Sequence, residues 1–128
     1  MYYFQMIAFN DKHYNSSAEI FFDIFNDKLK LLIIWYLKNN TLRFKELFQL
    51  LQPITKKTLS IKLKELEQLE LINRKVFAEV PPRVEYSLSE YGEDLKPVID
   101  EILVWSQKYA SVFATKISEI KIQGGQDV

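Results

Sequence analysis

A chain of 128 residues, 48% hydrophobic and 27% charged, is long enough for one domain with its own core plus an element devoted to association, and too short for two domains. It holds no cysteine and a single histidine, His13, which excludes disulfides, thiolate metal sites and thiol redox chemistry within the chain and leaves no second imidazole for a metal set. Net charge is zero, yet residues 28–75 carry eleven Lys and Arg against four Glu, residues 1–27 one base and four acids, and residues 76–128 five bases and nine acids. A basic block between two acidic arms suits a surface that faces a polyanion, and is also what results when helices rich in surface lysine fall there.

Residues 1–15 read as an N-terminal extension without the basic and apolar segments or the cleavage site of a secretion signal, so a cytoplasmic address is expected. Ser16 or Ser17 is placed to cap a first helix running toward Phe25, and Ser16 with Glu19 has capping-box spacing. The next segment, DKLKLLIIWYLKN, is apolar on nearly every side, so a helix buried all round is expected at the centre of the molecule. Its apolar run from Leu31 to Leu37 is far below the roughly 20 residues that cross a bilayer.

Asn39-Asn40 ends that helix and Thr41-Leu42-Arg43 reads as extended. Phe44, Leu47, Phe48 and Leu51 recur at i, i+3, i+4 and i+7, the stripe of a short surface helix that Gln52-Pro53 stops. Thr55 can cap a second helix with an inward stripe of Leu59, Leu63 and Leu66, continued by Leu69. Two short amphipathic helices joined by a tight turn form a candidate helix-turn-helix.

After Leu71 the period changes from about 3.6 to 2. Ile72 to Phe77 and Val84 to Leu88 alternate on either side of a connection that contains Pro81 and Pro82, a β-hairpin in the position of a wing. Ser89 then caps a long helix over about 90–118. Tyr91, Leu95, Val98, Ile102, Trp105, Tyr109 and Val112 are spaced alternately 4 and 3 apart along it, a heptad seam that asks for a partner helix. Pro97 predicts a slight bend, and residues 119–128, which contain Gly-Gly, read as a flexible tail.

If Leu59, Leu63 and Leu66 face the core, the opposite side of that helix carries Lys57, Ile61, Lys64 and Gln68 with Ser60 at the border, and Thr55 and Lys56 lie at its N-terminus. A helix fits the major groove, lysines suit phosphates and guanine acceptors, and a helix N-terminus favours a phosphate. Ile61 either meets a thymine methyl or is an incidental exposed apolar side chain. Arg83 at the wing either enters a minor groove or pairs with Glu79 or Glu85, and Arg43 is ambiguous in the same way. No nucleophile–base set, phosphate loop or placed carboxylate pair points to an enzyme, and no cofactor is called for.

These segments together resemble the HxlR-type winged-helix regulators, a MarR-like group: residues 28–37, LRFKEL at 42–47, LKELEQLELI at 63–72, EVPPRVEYSLSEYG at 79–92, and Trp105. The resemblance covers roughly residues 16–106. It implies a mainly α fold with a small β-hairpin: a winged helix-turn-helix over 16–118 whose N- and C-terminal helices join two copies. Phe22, Phe25, Leu95, Val98, Ile102, Trp105, Tyr109 and Val112 are the expected interface. It also implies a recognition helix at about 55–68, a DNA-contacting wing with Arg83, and control of nearby genes, more often by repression. Many members carry a cysteine where Ser16 stands, a tryptophan at Leu29 and a Gly pair at Asn26-Asp27. A protein-binding winged helix without DNA is the rival reading. An effector cavity lined by Phe21, Phe22, Phe25, Trp35, Tyr36, Trp105 and Tyr109 competes with core and dimer packing for the same aromatics.

Overall fold

The computed structural model describes the backbone of residues 7–123 and the side chains of 9–113. In chain order it contains β1 (Ile7–Phe9), β2 (Lys12–Tyr14), α1 (Ala18–Ile24), α2 (Lys28–Leu37), β3 (Leu42–Arg43), α3 (Phe44–Leu50), α4 (Lys56–Gln68), β4 (Ile72–Phe77), β5 (Arg83–Leu88), α5 (Glu90–Glu93) and α6 (Lys96–Gln123). Among the described residues no helix is long and apolar enough to cross a membrane.

Most buried side chains among the described residues form one core cluster. Ile33, Ile34 and Leu37 of α2 meet Leu47, Leu51, the Leu59–Leu63–Leu66 stripe of α4, Ile72, Tyr86 and Leu88 of the sheet, and Ile99 of α6. The sheet has the order β3-β5-β4, all antiparallel, with Leu42 opposite Tyr86, Arg43 opposite Glu85, Ile72 opposite Leu88 and Lys75 opposite Glu85. The hairpin and the helix-turn-helix are where periodicity places them.

The C-terminal end of α4 is closed by its backbone. Leu71 N–H donates to Leu66 O (3.0 Å) and Glu70 N–H to Glu67 O (2.9 Å), with Glu70 left-handed at φ 59, the paired bonds of a Schellman motif. Ser89 then fastens the next segment onto that turn. Its hydroxyl donates to Glu70 O at 2.6 Å and accepts from Gly92 N–H at 3.1 Å, while Ser89 N–H donates to Leu71 O at 3.0 Å. Gly92 sits so close that a Cβ there would stand 2.2 Å from Leu71 O, so only glycine fits without displacement.

Several expectations need correction. The N-terminal extension, read from sequence without any secondary structure, contains a hairpin: β1 and β2 pair around Asn10 and Asp11, whose φ values of 49 and 61 make the tight turn. Tyr14 OH docks that hairpin on α1 by donating to Asp23 at 2.6 Å, and this hydrogen bond, with burial and the negative charge, pushes the phenol up to about 12. Ser16 and Glu19 do not make a capping box; Ser17 occupies the N-cap without a side-chain bond, and Ser16 Oγ accepts from Ala18 N–H at 3.2 Å.

α2 is not buried all round. Leu31, Leu32 and Trp35 are only half covered, because α6 crosses that side and leaves a groove of about 310 Å³ beneath it, and Tyr36 is half covered on another side, beside Leu50 and Ile54. The long C-terminal helix is two helices. Pro97 cannot donate to Glu93 O, so α5 ends at Glu93 and α6 restarts at Lys96, with the proline in a first turn where its missing N–H is harmless. α6 continues to Gln123, beyond residue 118, and the remainder of the expected tail, 124–128, lies outside the described residues, as do residues 1–6.

Candidate nucleic-acid interface

α4 begins where Thr55 Oγ1 accepts the N–H of Thr58 at 3.0 Å. The N–H groups of Lys56 and Lys57 have no partner within the helix, as at any helix start. Leu59, Leu63 and Leu66 fill the core, so helical geometry turns Lys57, Ser60, Ile61, Lys64 and Gln68 outward, and all five are exposed, Ile61 to 46%. Lys56 lies at the edge of α3, its ammonium 5.7 Å from the centre of the Phe48 ring. Lys57 and Lys64 form no ion pair with any described residue. The structure thus brings Thr55, Lys56, Lys57, Ser60, Ile61 and Lys64 onto one exposed side.

Arg43 and Arg83 lie elsewhere, on the sheet. Direct pairing puts Arg43, Glu85 and Lys75 in one row across β3, β5 and β4, and Phe77 with Arg83 in the next row on the same face. The other face, with Ile72, Tyr86 and Leu88, meets the core. Arg83 is held rather than free: its guanidinium stacks 3.9 Å from the Phe77 ring centre and lies 3.2 Å from Glu79 and 3.3 Å from Glu85. Both alternatives for Arg83 therefore start from a caged arginine, and reaching a groove means leaving or sharing those carboxylates. Lys75, its ammonium 4.9 Å from the Phe77 ring centre, belongs to this basic face and is not among the residues that sequence reasoning singles out. Strand alternation and the Lys75–Glu85 register are the signal that could have found it.

Of the expected interface residues, Phe22, Val98, Ile102, Trp105, Tyr109 and Val112 are exposed in the single chain, whereas Phe25 and Leu95 pack partly against its own core. Trp105 and Tyr109 stack at 5.1 Å, and Tyr109 and Phe113 at 4.6 Å, an aromatic ladder along α6. The seven aromatics of the effector reading do not share one cavity here. Phe21, Phe22 and Phe25 cluster on α1, Trp105 and Tyr109 lie on α6, and only Trp35 lines the apolar groove between α2 and α6.

Comparison with known proteins points the same way. The HxlR-like helix-turn-helix family matches residues 24–113. An uncharacterized HTH-type transcriptional regulator of Methanothermobacter thermautotrophicus is 41% identical over 101 residues, 79% of this chain and 77% of that protein. Among solved structures, a MarR-family regulator of Porphyromonas gingivalis W83 is 36% identical, covers 80% of this chain and 97% of its own, and superposes with a TM-score of 0.68. The redox regulator HypR in its reduced form is 31% identical, over 78% of this chain and 99% of its own, with a TM-score of 0.72. A winged helix-turn-helix with this core, this wing and these relatives belongs to the HxlR-like family of helix-turn-helix transcriptional regulators.

Proposed function

We propose that the protein binds duplex DNA sequence-specifically as a homodimer, with α4 in the major groove and the β4–β5 wing alongside, and acts as a repressor. The observation that carries this reading is the outward side of α4, where Lys57 and Lys64 have no carboxylate partner among the described residues and stand beside Ser60, Ile61 and Thr55. Unneutralised ammonium groups at the end of flexible stems are what phosphates and guanine acceptors take up. The exposed heptad side of α6 and Phe22 of α1 supply an apolar face for a second copy, which would present two such helices to successive major grooves. With no cysteine in the chain, control does not run through a thiol of its own.

Selection of bound duplexes from a random pool by the purified protein tests the reading. The expected product is a pseudo-palindrome with half-sites about one helical turn apart. Recovery of no preferred sequence, or of single half-sites alone, would contradict it. A winged helix that binds protein instead would show no steep loss of duplex binding as salt rises.

A further inference from the structure

The half-covered side of α4 that faces the start of α2 carries a chain of charges. Asp27 divides its carboxylate: Oδ1 accepts the N–H groups of Leu29 (2.9 Å) and Lys30 (3.2 Å) and closes the start of α2, while Oδ2 accepts the ammonium of Lys62 at 2.9 Å. Lys62 lies 3.7 Å from Glu65 Oε1, which in turn stands 3.4 Å from the ammonium of Lys30. Lys30, itself buried, donates to Ile24 O at 3.2 Å, the last residue of α1. Four charges thus connect the end of α1, the start of α2 and the middle of α4.

Burial works against the charged form of Asp27, yet the hydrogen bonds from Lys62 and from the two backbone N–H groups outweigh it and hold the carboxyl below its ordinary value. The hydrogen bond to Asp27, against burial, holds Lys62 above its own. Both groups are therefore charged across the neutral range. Apolar packing of Leu59, Leu63 and Leu66 attracts α4 to the core without dictating its rotation about its own axis, because such contacts have no preferred direction. A short hydrogen bond from Lys62 to a carboxylate already fixed by two backbone donors does have one.

Resting on the DNA-binding reading above, we infer that Asp27 and Lys62 are positioning residues: their ion pair sets the rotation of α4 that points Lys57, Ser60, Ile61 and Lys64 at the groove, while Lys62 itself meets no phosphate. Lys62 is then the one lysine of the helix whose removal weakens DNA binding without altering the number of phosphates neutralised.

The test uses the full chain and the duplex recovered by selection, with affinity measured across a series of salt concentrations. Asp27→Asn keeps a side chain that caps as well as aspartate, and Lys62→Met keeps the stem. Each is expected to weaken binding about tenfold at an unchanged salt slope, the double variant to be no weaker than either single, and Lys62→Arg to bind nearly as wild type. Lys57→Ala, by contrast, should lower the slope by about one. A slope lowered by Lys62→Met, losses that add in the double variant, unchanged affinity, or unfolding of the variants at the assay temperature would each overturn the inference. A wild-type chain that binds no duplex overturns the DNA-binding reading itself; a wild type that binds beside unaffected variants overturns this inference alone.

Discussion

The two sides of α4 use the same residue type for opposite purposes. Inward, Lys62 is engaged by Asp27 and Glu65, two turns of leucines lie beside it, and the C-terminal end is closed by Leu71 and Glu70. Outward, Lys57 and Lys64 have no acidic partner among the described residues. A helix that is to be read by a polyanion needs its cations unspent on one side and its orientation fixed from the other. Lysine content therefore says little about such a helix until each ammonium's partner is known.

The largest effect is expected from the buried side of α4. Leu63→Ala removes a side chain that is almost fully buried against α2 and the sheet, and should cost about 2–5 kcal/mol, read as a lowered denaturation midpoint, with DNA binding lost through unfolding. Gly92→Ala comes next. The new methyl meets Leu71 O, which receives the Ser89 N–H at the turn after α4, so the chain must shift there; about 1–3 kcal/mol of stability should go, again seen in thermal or denaturant unfolding.

From the outer side, Ile61→Ala should leave stability within about 0.5 kcal/mol, since the residue is exposed, while preference at one base pair of each half-site falls by up to about tenfold in competition binding. An unchanged preference would assign Ile61 to incidental exposure. The smallest effect is on pH dependence. The Asp27 carboxyl is lowered below 3.8 in the folded chain, so its contribution is fully present above that value and is lost as pH falls through the lowered one. Acid unfolding curves of Asp27→Asn should therefore be flatter than those of wild type in that acid range, with the stability gap between the two widest at neutral pH and closing as the carboxyl protonates.

Much of this is legible in the residues alone. The leucine stripe of α4, the caps at Thr55 and Ser89 and the alternation on either side of Pro81-Pro82 are local patterns, and each lies where its period puts it. What escapes is what local pattern does not encode. Strands of three residues, such as β1 and β2, are too short to show alternation, and their turn depends on Asn10 and Asp11 taking positive φ. The half-covered side of α2 is decided by where α6 crosses it, not by its own composition. The pairing of Lys62 with Asp27 and of Lys30 with Glu65 leaves no trace in local pattern because each partner is 35 residues away in the chain. Arg83 falls at the expected end of the wing, but its enclosure by Phe77, Glu79 and Glu85 follows from the strand register.

The most direct test is the salt dependence of duplex binding by Lys57→Ala/Lys64→Ala beside wild type. With two fewer phosphates neutralised, the slope of log affinity against log salt should fall by roughly 1.8 and binding should weaken about 10- to 100-fold near 0.1 M salt, with the unfolding midpoint unmoved. An identical slope and affinity would mean that the outward side of α4 does not face the double helix.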